Sequence, residues 1–299
     1  MEKKHRSGFI TIAGAPNVGK STFLNRVLGE KVAITSPKPQ TTRNRIRGII
    51  TTPGYQAIFV DTPGIHHAHS RLNRNLVRMA LQAMDETDAV LLMTDTHREA
   101  KTQSEPVLAA LASRRKPVVL AINKIDLVPK EDLLPLIDHY RKAMEFVAVV
   151  PICALTGDGL DPLLAEIPPL LPEGPELFPP DLHTDVTERF LAAEMVREKI
   201  FRLTAKEIPY ATAVDIEEWR EEEGLVRIHA TILVERDSQK GIIIGEGGRM
   251  LKRIGSEARW DIEALLGVKV FLQLWVRVRK DWRGSPRALN ELGLEPGKR

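Results

Sequence analysis

Short apolar runs alternate with longer amphipathic stretches over residues 9–167. The runs 9–13, 57–60, 89–93, 118–122 and 146–150 lack the polar alternation of a half-exposed strand, so they read as strands buried on both faces. Residues 71–84, 104–113 and 131–144 carry apolar side chains at helical spacing. Strand and helix therefore alternate, which predicts a mostly parallel sheet with right-handed crossovers and helices on both faces. Residues 43–51 read as one further strand, and Thr52-Pro53-Gly54 joins it to the next as a hairpin with one antiparallel edge.

The pattern breaks at 168–180, where six prolines and one glycine fall close together. Proline fixes φ and has no backbone donor, so this run is expected to join neither sheet and to act as a semi-rigid spacer. Beyond it the periodicity predicts a helix at 187–203, strands at 211–219 and 225–234, a glycine-centred turn, a helix after Gly248 and a strand at 268–278. The expected division is a first domain at 1–167, a linker at 168–182, and a smaller α+β domain at 183–299 that includes a C-terminal tail.

Composition narrows this picture modestly. A chain of 299 residues is long enough for two cores, and 43% hydrophobic with 28% charged residues excludes the disordered regime. The single cysteine, Cys153, allows no intramolecular disulfide, and the N-terminus leads into a strand rather than a cleavable apolar segment. A reducing cytoplasm is the expected compartment. No apolar run approaches the roughly 20 residues that cross a bilayer, so any membrane contact is expected to be peripheral. The net charge of +3 identifies nothing by itself, but residues 181–239 are acidic in balance and 240–287 basic. All four tryptophans fall in the second domain, where core or rim packing is the ordinary role for most of them.

The chemistry is concentrated in four places. Gly14, Ala15, Pro16, Asn17, Val18, Gly19, Lys20 and Ser21 fit G-x-x-x-x-G-K-[ST], and Thr22 continues into an amphipathic segment. A strand precedes the loop and a helix follows it, so successive N–H groups and the positive helix end would replace water around a polyphosphate. Lys20 would reach the β- and γ-phosphates, and the Ser21 hydroxyl would ligate Mg²⁺. Asp61-Thr62-Pro63-Gly64 closes another buried run; Asp61 can hold Mg²⁺ through a water, and Gly64 can offer its N–H to the γ-phosphate. Asn123-Lys124-Ile125-Asp126 closes the next. The Asp126 carboxylate would accept from guanine N1–H and its exocyclic amine, selecting GTP over ATP, while the Lys124 stem lies along the base. Cys153, Ala154 and Leu155 follow the last strand, where a backbone N–H could meet the guanine oxygen.

These motifs, with Gln40-Thr41-Thr42-Arg43-Asn44 between the first two, resemble the translation-factor-like GTPases. The whole chain resembles the Era family, bacterial GTPases that join a GTP-binding domain to a C-terminal RNA-binding KH domain. The fold class implied is an α/β P-loop GTPase domain followed by a smaller α+β type II KH domain. The resemblance implies that the loop at 40–44 is the first switch and that a threonine completes the Mg²⁺ shell, Thr42 with Thr41 as the alternative. Lys20, Thr42, Asp61 and Gly64 are then the catalytic set. It also implies binding of 16S-type ribosomal RNA near its 3′ end, assistance to 30S subunit assembly, a monomer, and some peripheral association with the inner membrane. A membrane-peripheral signalling GTPase with a protein-binding KH-like domain is the competing reading. No basic amphipathic helix stands out to support membrane contact.

Two positions depart from the usual pattern. Ile65 stands where many GTPases place a water-orienting glutamine after D-x-x-G, and some GTPases with an apolar residue there use K⁺ beside the phosphates, held by a P-loop asparagine; Asn17 occupies that place. Cys153 replaces the serine usual in the family, and guanine affinity is expected to survive because that contact is mainly through the backbone. His66, His67 and His69 follow the second switch motif and are assigned no role.

In the second domain, Gly245-Glu246-Gly247-Gly248 is a G-x-x-G between an apolar helix end and a basic helix start. The order of helix, two strands, two helices and a strand resembles a type II KH domain, whose loop clamps about four single-stranded nucleotides beside an apolar groove. Ile244 and Gly245 to Gly248 would approach the backbone, and Lys240, Arg249, Lys252 and Arg253 are the phosphate-contact candidates. Because the side chain of Ile65 cannot hydrogen-bond water, single-turnover hydrolysis without a partner is expected between about 10⁻⁴ and 10⁻² per second. A rate far above that range would contradict this reading.

Overall fold

The computed structural model describes residues 5–66 and 70–295, so His67 and His69 lie outside the described residues. Two compact units emerge: one comprises residues 1–33, 42–69 and 73–185, the other 34–41, 70–72 and 186–299.

The first unit is built on a six-stranded sheet in the order β2-β3-β1-β4-β5-β6. Strands β1 (Arg6–Gly14), β3 (Tyr55–Asp61), β4 (Ala89–Asp95), β5 (Val118–Asn123) and β6 (Ala148–Pro151) are parallel, and β2 (Ile46–Thr52) runs antiparallel to β3 from Ile46 opposite Asp61 to Thr52 opposite Tyr55. Helices α1 (Lys20–Leu28), α2 (Arg71–Glu86), α3 (Ala100–Ala112), α4 (Leu133–Ala143) and α5 (Leu160–Ala165) intervene. Every residue of β4 and β5 is buried, which explains their unbroken apolar runs. Val90, Leu92, Leu120 and Ile122 pack with Met84, Val107, Leu111, Leu136 and Tyr140 in one core. Helix α1 sets Phe23 edge-on to Phe59, with ring centroids 5.6 Å apart. Gly48 lets this helix approach β2, since a Cβ there would meet Leu24 Cδ1 at 2.4 Å. Helix α5 has only six residues, too few for its period to show in the sequence.

The proline-rich run is not a spacer. Ser7 N donates to Pro172 O at 3.1 Å, Gly174 N donates to His5 O at 3.1 Å, and Arg6 donates to Leu171 O at 2.7 Å. Gln56, fully buried, accepts from the amides of Leu177 and Phe178 at 2.7 and 3.0 Å and donates to Phe178 O at 2.9 Å. Residues beyond it also dock: Ile49 N donates to His183 O, and the Thr184 hydroxyl donates to Arg47 O. Proline forbids a regular strand here, but its carbonyls still accept, and side-chain amides supply the remaining partners.

In the second unit, α6 (Glu188–Leu203) precedes β7 (Ala213–Glu222), β8 (Leu225–Val234), α7 (Asp237–Ile244), α8 (Arg249–Leu266) and β9 (Lys269–Val278). Thr187 caps α6 by accepting from Phe190 N at 3.2 Å. The sheet order is β7-β8-β9, with β7 antiparallel and β9 parallel to β8. Its covered face packs Ile228, Ala230, Ile232 and Val270 against Val196 and Ile200 of α6 and Ile254, Ala258 and Ile262 of α8. Helix α6 also buries charge. Arg197 Nε donates to Glu194 at 2.7 Å, Lys199 donates to Asp261 at 2.7 Å, and Glu198 accepts from Thr35 N at 2.9 Å. Arg197 further donates to Thr41 O, and Lys38 to the carbonyls of Phe201 and Thr204, so residues 34–41 cluster here through polar contacts that apolar periodicity does not register.

The expected C-terminal tail is structured as far as Glu295. Trp282 is fully buried and donates its indole N–H to Ala211 O at 3.0 Å, and Ser285 caps a short helix α9 (Pro286–Glu291) that buries Ala288 and Leu289. Trp282 is in the core and Trp219, partly buried, packs against the core between sheet and helices, while Trp260 and Trp275 are exposed. No helix among the described residues is long and apolar enough to cross a membrane.

Gln56→Ala is expected to strip four hydrogen-bonding groups of their partner and cost about 3 kcal/mol, with the chain becoming cleavable between 172 and 182 in limited proteolysis. An unchanged urea midpoint and cleavage pattern would show that the run is held by other means.

Candidate functional site

Strands β1, β3, β5 and β6 are parallel, so Gly14, Asp61, Asn123 and the residues following Pro151 all stand at one end of the sheet. Backbone geometry at the first loop is demanding. Asn17 has φ 65° and Gly19 φ 99°, and a Cβ on Gly19 would lie 2.2 Å from Asn123 Nδ2. Lys20, only 6% exposed, curls back to donate to Ala15 O at 2.9 Å and Gly14 O at 3.3 Å. Burial lowers its pKa to about 8, against the opposing pull of Asp61.

Asp61 is fully buried, and burial raises its pKa, opposed by Lys20 and by hydrogen bonds from Ser21, Thr42 and Thr62. Its Oδ2 accepts from Ser21 Oγ at 2.7 Å and Thr42 Oγ1 at 3.3 Å, and the two hydroxyls are 2.8 Å apart. Its Oδ1 is buried without a hydrogen-bond partner among the described residues. Thr41 instead donates to Lys38 O at 2.8 Å, so Thr42 is the threonine brought to the carboxylate. Gly64 lies hard against the phosphate loop: a Cβ there would sit 2.6 Å from Pro16 N, and the following amide, that of Ile65, donates to Gly14 O at 3.1 Å. Ile65 is buried among Ala13, Val90 and Leu92 rather than facing the site. His66 turns its Nδ1 toward Gly64 O at 2.9 Å, and no metal-holding group of three or more His, Cys, Asp or Glu exists among the described residues.

The N-K-I-D segment after β5 is tied to the phosphate loop. Asn123 donates to Val18 O at 2.7 Å and accepts from Ala154 N at 2.9 Å. Lys124, with φ 64°, donates to Asp95 Oδ2 at 2.7 Å. Asp126 is exposed, and one of its oxygens accepts the buried Cys153 thiol at 3.0 Å, while Leu155 is 73% exposed. Sequence reading missed the Asn123 and Asp95 ties, because nothing in the spacing of N-K-I-D reveals that its asparagine and lysine are held by the protein itself.

In the second unit, Gly245, Gly247 and Gly248 all have positive φ, and a Cβ on Gly247 or Gly248 would meet nothing within 4 Å, so the loop surface is open. Ile243 is buried, and Ile244 is half-buried at the loop edge. Arg249 pairs with Glu246, and Arg253 with Glu257 at 2.8 Å; Lys252 is exposed and Lys240 half-buried. Lys240 also lines a cavity of about 450 Å³ with Asp237, Glu217 and the β9 residues Trp275 to Val278. The β9 residues of that cavity were not anticipated, since only their alternation along the strand marks them.

A family model described as 50S ribosome-binding GTPase matches residues 9–124, and a KH domain model matches residues 207–283. GTPase Era of Geobacter metallireducens is 56% identical over 290 residues, covering 96% of this chain and 97% of the relative. GTPase Era of Lacticaseibacillus paracasei is 52% identical over 291 residues, covering 97% of each. Among solved structures, an Aquifex aeolicus Era variant bound to GDP.AlF4- matches with a TM-score of 0.91 and 41% identity, covering 97% of this chain and 99% of that one. Era in complex with MgGDPNP and nucleotides 1506–1542 of 16S ribosomal RNA matches with a TM-score of 0.92 and 42% identity over the same shares. Phosphate loop, N-K-I-D segment and KH domain occur here in one chain that these relatives match almost end to end, and the chain belongs to the Era family of GTPases.

Proposed function

We propose that the chain is a Mg²⁺-dependent GTP switch in the cytoplasm that binds small-subunit ribosomal RNA near its 3′ end through its KH domain and assists 30S subunit assembly. The convergence of Ser21, Thr42 and Asp61 beside buried Lys20 carries the switch reading. An oxygen-only donor set with an unpartnered carboxylate oxygen suits a small hard cation that keeps several waters. Mg²⁺, when bound, would neutralise charge developing on the phosphate oxygens. Lys20 would exchange its two loop carbonyls for β- and γ-phosphate oxygens, and the Gly64 amide would meet the γ-phosphate. Thr42 would report the γ-phosphate to the first switch, ordering it with GTP and releasing it after hydrolysis. Asn17, in the left-handed region at the loop's apex, is the candidate for K⁺ beside the phosphates. Asp126 would accept from the guanine edge with its remaining lone pairs.

For the RNA, the support is the open G-x-x-G loop together with the full-length relative solved with 16S nucleotides. The family model whose description names the large subunit covers only residues 9–124 and says nothing of the KH domain, so the relative matched over 97% of the chain weighs more.

The pKa of Lys20 gives a signed pH dependence. A phosphate against its ammonium would raise that pKa above the value of about 8 in the free protein, so binding takes up a proton above pH 8. GDP affinity by calorimetry is expected to fall about tenfold per pH unit above 8; a flat profile to pH 9.5 would remove Lys20 from the phosphates. Gly247→Asp should weaken single-stranded RNA binding and leave GDP affinity unchanged, because its side chain enters open space at the loop. Loss of both activities would indicate misfolding instead. With three or four phosphate contacts, the wild-type log-log salt slope should lie near −2 to −3.

A further inference from the structure

Among the described residues of the second unit, only one face of its sheet is covered by helices. On β9, Val270, Leu272, Leu274, Val276 and Val278 belong to the core packed with α6, α7 and α8. The intervening residues Lys269, Phe271, Gln273, Trp275 and Arg277 therefore share the other face, as a row of cation, ring, amide, ring and cation. Phe271 is 45% and Trp275 57% exposed, about 13 Å apart along the strand. Arg227 of β8 lies over the Phe271 ring at 5.3 Å. Most acids of β7 are engaged locally: Glu222 with Arg227 at 2.8 Å, Glu218 with His229 at 3.0 Å, Glu217 with Arg277 at 3.1 Å and the Thr231 hydroxyl at 2.8 Å, and Glu221 with the Trp219 indole at 3.0 Å, while Asp215 is exposed. The row is continuous with the cavity that Trp275 and Arg277 share with Lys240, whose helix leads into the glycine loop.

We propose that this open face is a second stacking platform for single-stranded RNA, taking bases that run on from those at the glycine loop. Phe271 and Trp275 would each carry a base, with Lys269 and Arg277 at flanking phosphates. Rings alternating with cations suit a strand that offers a π-face and a negative charge at every step. Protein-interface cores share the aromatic and arginine enrichment but are depleted of lysine, and the continuity of this row with the glycine loop is what favours RNA. The platform rests on the RNA-binding reading above and extends it from the loop to the sheet.

The test is fluorescence-anisotropy titration of the full chain with single-stranded RNAs of four and of ten nucleotides. Stacking two bases should make a Phe271→Ala/Trp275→Ala double variant bind the longer RNA at least about 30-fold more weakly, with the shorter unaffected and Trp275→Phe largely retaining affinity. An unchanged affinity for the longer RNA would overturn the platform and leave this face to a protein partner. Equal weakening at both lengths would also overturn it, since the rings would then serve the loop or the fold. Failure of the wild type to bind either RNA would sink the RNA-binding reading itself, and the platform with it.

Discussion

The first unit is organised around an electrostatic problem: a carboxylate and an ammonium buried at the same end of a parallel sheet. Either charge alone would be strongly disfavoured there. Asp61 stays tolerable because two hydroxyls and a backbone amide reach it, and Lys20 because two loop carbonyls do. Those partners come from three separate stretches of chain, so the phosphate loop, the segment carrying Thr42 and the end of β3 must fold together for all of them to be satisfied. The same arrangement leaves one carboxylate oxygen unpartnered, so the polar cluster holding the site together is also the part able to engage a cation.

The second unit depends on a different use of charge. Helix α6 buries Glu194, Arg197, Glu198 and Lys199 alongside its apolar side chains. Such groups add little net stability compared with well-packed apolar residues, but breaking one pair is costly, which favours a single arrangement. The partners include backbone groups of Thr35 and Thr41, so a short stretch far away in sequence, with Ile34 its one buried apolar side chain, is recruited largely through polar contacts.

Much of this was legible in the residues. Strands β4 and β5 announce themselves because burial on both faces erases polar alternation, and the glycine-rich loop between β1 and α1 follows from its G-x-x-x-x-G-K-S spacing. Contacts made through backbone carbonyls were hidden. Prolines at 168–180 suggest detachment, yet the carbonyls of Leu171, Pro172 and Phe178 are what hold the run in place. The short helix after Ser285 escaped because one turn and a half shows no period, and Trp282 gave no sign of whether its ring was core or surface. The choice of Thr42 over Thr41 depended on which hydroxyl turns back to Lys38.

Asn123 bridges Val18 and Ala154 with its own amide, whereas Asp126 leans only on a thiol. Fastening the two loops together thus falls to Asn123, while the Asp126 carboxylate three positions on is left exposed. A substitution at Asp126 therefore leaves the tie between the two loops in place, because that tie is made three positions earlier.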